Sequence, residues 1–164
     1  MLPCFKKSTN FPGFAFGVDG VLINFDGKPF KTPNNRPIQA YFSRKFRYAI
    51  NAQVVGGPDR LIYDLELGGP GSWNDACIWR QSDVKKVLER RQPRFKLAGD
   101  SGYPRSPILI TPFTQEEGQN DMRKRLFNLR HSGLRAECTE CIFGMWKRRF
   151  LIKRNIRNHY RNAV

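Results

Sequence analysis

Phe95-Lys96-Leu97-Ala98-Gly99-Asp100-Ser101-Gly102-Tyr103-Pro104 is the stretch on which the reading of this chain turns. A short apolar run ends on an aspartate set between two glycines, the way a buried strand stops with a carboxylate at the rim of a sheet. Upstream, Phe14-Ala15-Phe16-Gly17-Val18 runs into Asp19-Gly20 in the same manner. Residues 14–25 alternate apolar and small side chains and read as a strand. Residues 28–37 hold Pro29, Pro33, Asn34, Asn35 and Pro37 and read as a surface loop. Residues 48–55 and 61–67 form two more strands, joined at the hairpin signal Gly56-Gly57-Pro58-Asp59. These three strands predict an antiparallel meander.

Beyond the break at Gly68-Gly69-Pro70-Gly71, Ser72 or Asn74 is placed to cap a helix. Residues 83–91 carry Val84, Val87 and Leu88 at helical spacing. Strands follow at 94–98 and 108–110. Thr114-Gln115-Glu116-Glu117 is a capping-box pattern that opens a helix reaching about residue 129. Gly133 restarts the chain, and residues 134–150 read as one helix. The order predicts an α/β domain. It combines an antiparallel three-strand meander with parallel strands in one mixed sheet, helices covering both faces.

The chain has 164 residues, enough for one domain with a substantial core. It carries 29 Lys+Arg against 14 Asp+Glu, a net charge of +15. Residues 121–164 alone supply +9 of that. Such an excess favours a polyanionic partner, because contacts to phosphates release counterions. No apolar run approaches the roughly 20 residues of a membrane span, and Met1-Leu2-Pro3-Cys4-Phe5-Lys6-Lys7 lacks a signal-peptide core. The expectation is an intracellular chain with no membrane partner, whose four cysteines are reduced thiols. Cys138 and Cys141 form one C-x-x-C without two further ligands at zinc-site spacing, which favours a buried helical face.

Two strand-end aspartates and a helical Glu140, in a strongly basic chain, are the ingredients of a divalent-metal site acting on a phosphate backbone. Mg2+ takes oxygen ligands and keeps waters, so a few carboxylates suffice. Glycines beside Asp19 and Asp100 let a nucleic-acid strand come close. Each residue has a plainer reading too. An Asp followed by Gly makes a turn, Glu140 is an exposed helical charge, and Asp75 is an acidic residue at a helix start.

Five ordered blocks carry a family resemblance over about residues 11–150. They are Phe11-Pro12 with Val18-Asp19-Gly20-Val21-Leu22-Ile23; Phe42-Ser43-Arg44-Lys45 with Tyr48-Ala49-Ile50-Asn51-Ala52-Gln53-Val54; and Gly69-Pro70-Gly71-Ser72-Trp73-Asn74-Asp75 with Arg80-Gln81-Ser82. The fourth is Gly99-Asp100-Ser101-Gly102-Tyr103-Pro104 with Leu109-Ile110-Thr111-Pro112. The fifth joins Asn128 and His131-Ser132 to Glu140-Cys141-Ile142-Phe143-Gly144 and Lys147-Arg148-Arg149-Phe150. In these blocks the chain resembles the Harbinger-type transposases and their domesticated nuclease relatives, within the DDE endonuclease superfamily. The resemblance implies an RNase H-like fold, and a catalytic, metal-binding Asp, Asp and Glu at Asp19, Asp100 and Glu140. It implies Mg2+ or Mn2+, a DNA substrate, and hydrolysis of a strand by a two-metal mechanism. No small-molecule cofactor is expected. Asp75 matches a further family carboxylate and is read as supporting the site.

The chain departs from the family pattern in three ways. Leu22 stands where the family has a histidine. The spacing from His131 to Phe143-Gly144 is one residue longer than usual. Within that longer spacing Glu137-Cys138-Thr139 and Glu140-Cys141-Ile142 are near-duplicates, so Glu137 is an alternative to Glu140. Finally, no helical DNA-binding region precedes Phe11. The expected organisation is a poorly ordered lead at 1–10, the endonuclease domain at 11–150 and a basic tail at 151–164. The expectation is an isolated catalytic domain, fragment or domesticated remnant, with a separate protein as DNA-binding partner.

Arg44 and Lys45, and Lys147, Arg148 and Arg149, are the candidate phosphate-tracking residues. The second group doubles as a nuclear localisation signal, which makes the nucleus the expected compartment and the cytoplasm the alternative. Trp73, Trp79 and Trp146 are read as core rather than as stacking platforms. The competing functional reading is a transposon-derived DNA-binding or scaffold protein without turnover.

Overall fold

The computed structural model describes residues 11–32, 35–91 and 94–149. The expected lead at 1–10 and basic tail at 151–164 lie outside the described residues. The sheet has five strands, β1 (Phe14–Asn24), β2 (Ala49–Gly56), β3 (Ile62–Pro70), β4 (Lys96–Ala98) and β5 (Leu109–Ile110), in the order β3-β2-β1-β4-β5. β1, β2 and β3 are the predicted antiparallel meander, from Gly17↔Gly56 to Asn24↔Ala49 and from Gly56↔Ile62 to Ile50↔Pro70. β4 joins β1 in parallel and β5 joins β4 in parallel. The fold is α/β with a mixed sheet, in accord with an RNase H-like arrangement.

The hairpin turn forms where Gly57 N donates to Leu61 O at 3.0 Å and Leu61 N donates to Asp59 Oδ1 at 3.1 Å. Alternation along β1 assigns the two faces. Phe16 and Val18 point to one side and pack with Val55, Trp79, Leu97, Tyr103 and Leu109. That side is covered by α1 (Asp75–Gln81) and α2 (Asp83–Arg91), whose Val84 and Leu88 close over the same cluster. Asn74 caps α1 by accepting from Cys77 N at 2.9 Å. Trp79 is buried as expected, and Trp146 packs partly buried against Val54, Ile142 and Phe143. Trp73 lies half-buried under the Arg36 guanidinium, 4.7 Å from the ring centre.

Gly17, Asp19 and Val21 point to the other side, under α4 (Met122–Arg135), a π-helical segment (Ala136–Glu140) and α5 (Cys141–Arg149). Gly17 and Gly56 are cross-strand partners and make a flat platform there. A Cβ on Gly17 would stand 2.9 Å from Cys138 Cβ, and one on Gly56 would overlap the Cys138 carbonyl and Ile142 Cδ1. The π segment sits directly on this platform. A π-bulge accommodates one extra residue in a helix, and this one lies between His131 and Phe143, where the sequence is one residue long.

The single helix expected over about 114–129 is two. α3 (Gln115–Asn120) begins at the predicted capping box of Thr114 and Glu117. It ends at Asp121, whose φ of −139° is extended and whose carboxylate accepts from Arg123 N to start α4. Nor does Gly133 restart the chain. α4 runs through it, held by the buried His131 and Leu134 on either side. Among the described residues no helix is long and apolar enough to cross a membrane.

Candidate active site

β1 outruns β4. The two pair only from Phe14↔Lys96 to Gly17↔Ala98, so from Val18 onward the β4 side of β1 is open. Into this notch the sheet places two of the sequence-predicted aspartates, Asp19 on β1 and Asp100 just past the end of β4. Asp100 Oδ1 accepts from Gly102 N at 2.8 Å, which folds the Gly99–Tyr103 turn back toward β1. Asp75, the first residue of α1, comes in from the opposite face of the sheet. Its Oδ1 would be 2.5 Å from a Cβ on Gly20. Its Oδ2 and Asp100 Oδ1 would be 3.0 and 3.1 Å from a Cβ on Gly102. The two glycines therefore leave open the space that the carboxylates enter.

The electrostatics agree with this convergence. Burial pushes the Asp19 carboxyl above its usual range, and Asp100 adds to the rise while Arg135 opposes it. Burial likewise raises Asp75, followed by repulsion from Asp100 and Asp19, with Arg44 opposing. Tyr103, buried beside the three carboxylates, is held well above the ordinary phenol range by burial and then by Asp75, Asp19 and Asp100. Its hydroxyl has no hydrogen-bond partner among the described residues.

Arg135 is the residue the sequence reading missed. Its Nη2 donates to Asp19 Oδ2 at 3.0 Å, with each side chain 18% exposed. Asp19 Oδ1 accepts from Gly20 N at 2.8 Å, so both carboxylate oxygens are held. The only signal was spacing. Arg135 lies one helical turn after His131, and His131 faces inward. There Nε2–H of His131 donates to Ile110 O at 2.9 Å, and burial lowers the imidazole's proton affinity. Asn128 pins the same helix by a reciprocal pair with Phe113, donating from Nδ2 at 2.9 Å and accepting on Oδ1 at 2.8 Å.

Glu137 and Glu140 are both exposed on the π segment, which turns Cys138 and Thr139 inward between them. The charges acting on Asp19 are Arg135 and Asp100, and those acting on Asp75 are Asp100, Asp19 and Arg44; neither glutamate is among them. Arg44 lines a cavity of about 70 Å³ together with Leu22, Trp73 and Asp75. Lys45 is exposed beside it, and Lys147, Arg148 and Arg149 are exposed at the end of α5. Cys138 is buried and Cys141 exposed, and neither is in a disulfide.

Among the described residues, no three His, Cys, Asp or Glu side chains close into a ready-made metal cage. The aspartates nonetheless suit a hard divalent cation. They are oxygen ligands with residual negative charge, set at glycine gaps, and Mg2+ commonly takes only one or two carboxylates, completing its shell with waters and substrate phosphate.

Residues 18–163 match the family described as DDE superfamily endonuclease. The chain is 26% identical over 144 residues to Protein ALP1-like of Arabidopsis thaliana. It is 27% identical over 129 residues to HARBI1 of Rattus norvegicus, whose name carries a nuclease designation. Each alignment covers 78% of this chain and 34% of the relative, so the chain spans about a third of the length of these curated relatives. No solved structure matches it.

Proposed function

The chain belongs to the DDE superfamily endonucleases, and from that premise we propose that it is a divalent-metal-dependent domain cleaving phosphodiester bonds of DNA. The observation that carries the reading is the meeting of Asp19, Asp75 and Asp100, from three separate elements, in the notch where β1 outruns β4. Asp19 and Asp100 would hold Mg2+ or Mn2+, and the reading gives Asp75 the third place that the resemblance assigns to Glu140. Such an ion supplies Lewis-acid chemistry, lowering the proton affinity of an attacking water and neutralising charge that builds on the phosphate.

The protein's own groups divide the remaining work. Arg135 fixes the rotamer of Asp19 through the 3.0 Å ion pair and offsets one carboxylate charge, which reduces but does not remove the repulsion within the cluster. Gly20 and Gly102 keep the approach to the carboxylates free of side chains. The tightly packed Tyr103 and Trp79 seal the floor of the notch against the core, their rings 6.2 Å apart. Arg44, at the mouth of the adjoining cavity, is placed to take a phosphate of the same strand. Lys147, Arg148 and Arg149 extend the positive surface along α5 and support a nuclear location.

The test is nicking of supercoiled plasmid in Mg2+ or Mn2+ by the wild type and by Asp100→Asn. Metal-dependent nicking that the variant loses is the expected result. Nicking no greater than the variant's would overturn the reading. DNA retention without nicking would instead favour a binding protein, a reading supported by the exposed positions of Glu137 and Glu140.

A further inference from the structure

Asn51 is a buried polar side chain to which neither the core nor the proposed reaction has given a use. It lies on β2 opposite Leu22 and is 5% exposed. Its Nδ2 donates to the Trp73 carbonyl at 3.2 Å. That bond fixes the amide, and leaves Oδ1 buried on the other side with no donor among the described residues. An acceptor shut away from water in this manner is costly unless something meets it.

What Oδ1 faces is a carboxylate. Asn51 Oδ1 would be 3.5 Å from a Cβ on Gly20, and Asp75 Oδ1 would be 2.5 Å from the same atom. Two acceptor oxygens thus border one small gap, and no donor among the described residues bonds the amide oxygen. Asp75 also lines the cavity of about 70 Å³, together with Leu22, Arg44 and Trp73. At about 30 Å³ per water it has room for a partly hydrated ion. The surrounding charge permits one, because Asp19, Asp75 and Asp100 outnumber Arg44 and Arg135.

We propose that Asp75 Oδ1 and Asn51 Oδ1 form a subsite for a divalent cation on the α1 side of the sheet, distinct from the Asp19–Asp100 pair. One carboxylate, one amide oxygen and waters make an all-oxygen shell suited to Mg2+ or Mn2+. The subsite rests on the reading of the aspartates as metal-binding, and adds to it a neutral ligand on β2. It also accounts for a cluster that lacks three carboxylates in cage geometry, since the missing donor is an amide.

The experiment is Mn2+ titration of the whole 164-residue chain, counting bound ions by the loss of the free-ion electron paramagnetic resonance signal and measuring affinities by calorimetry. Wild type is compared with Asn51→Leu, which keeps the volume and removes the oxygen, and with Asn51→Asp, which adds charge at the same place. The expected result is that Asn51→Leu weakens one ion at least tenfold and spares the other, while Asn51→Asp tightens the same ion at least tenfold. If all three proteins bind the same number of ions with affinities within twofold, an ordered water fills the gap and the inference falls, with the nuclease reading intact. A wild type that binds no Mn2+ overturns both. Where Asn51→Leu does not fold, unchanged or weaker binding by Asn51→Asp is sufficient to overturn the inference.

Discussion

Replacing Gly20 by alanine perturbs the site with little disturbance to the fold. Gly20 lies in β1 outside the left-handed backbone region, so alanine can adopt its conformation. The added methyl would stand 2.5 Å from Asp75 Oδ1, about 0.9 Å inside the ordinary contact range that begins at 3.4 Å. The obstructing atom ends a flexible side chain, so Asp75 yields by turning off its rotamer, which costs about 0.5–1.5 kcal/mol. In a domain of this size that lowers Tm by about 1–6 °C. Function is more sensitive, because a displacement near 1 Å in a catalytic constellation costs about 10²-fold in rate. Thermal unfolding followed by circular dichroism, beside plasmid nicking at matched Mn2+, measures both. Nicking within twofold of wild type would remove Asp75 from the site. A Tm loss beyond 10 °C would refute the claim that the contact is soft. The double variant Gly20→Ala/Asp75→Asn should be no slower than Asp75→Asn alone, since both act on one group.

Two further outcomes follow from the same packing and electrostatics. Gly56→Ala sets a methyl against the Cys138 carbonyl and Ile142 Cδ1; backbone cannot swing aside, so urea unfolding should show a loss of about 3 kcal/mol, the upper end for overpacking. Gly133→Ala, which meets nothing within 4 Å inside α4, should instead gain up to about 1 kcal/mol, and a reversed order of the two would refute the platform. Asp75 has a folded-state pKa raised from 3.8 by burial and then by Asp100 and Asp19. Its contribution to stability is therefore present below 3.8 and lost as pH rises through the folded value. Removing it with Asp75→Asn should stabilise the EDTA-treated protein relative to wild type more at pH 7 than near pH 4. An equal difference at the two pH values would show that Asp75 is not electrostatically strained.

Much of this was legible because it is local. The strand alternation from Phe14, the Gly57–Leu61 turn and the Thr114–Glu117 box each satisfy backbone groups within a few residues, and they formed as expected. The break at Asp121 was also local but was masked by the helical pattern around it. An aspartate that can bond Arg123 N competes with helix continuation. Gly133 misled in the opposite sense, since helix propensity yields to the packing of His131 and Leu134.

The sequence by itself determined the mixed α/β order and nominated Asp19 and Asp100 as strand-end carboxylates beside glycines, with Glu140 as the third ligand and Asp75 in support, because strand period and glycine permissiveness are written residue by residue. Only the tertiary structure decided which groups meet. Asp75 reaches the site from the far face because β4 stops at Ala98 and leaves the flank of β1 open. Arg135 reaches Asp19 across 116 residues because α4 is anchored on β5 by His131. Glu137 and Glu140 face outward because the extra residue becomes a π segment seated on Gly17 and Gly56. Each of these rests on contact between distant segments. A one-dimensional pattern carries the kind of side chain at each position, but not the rotation that aims it.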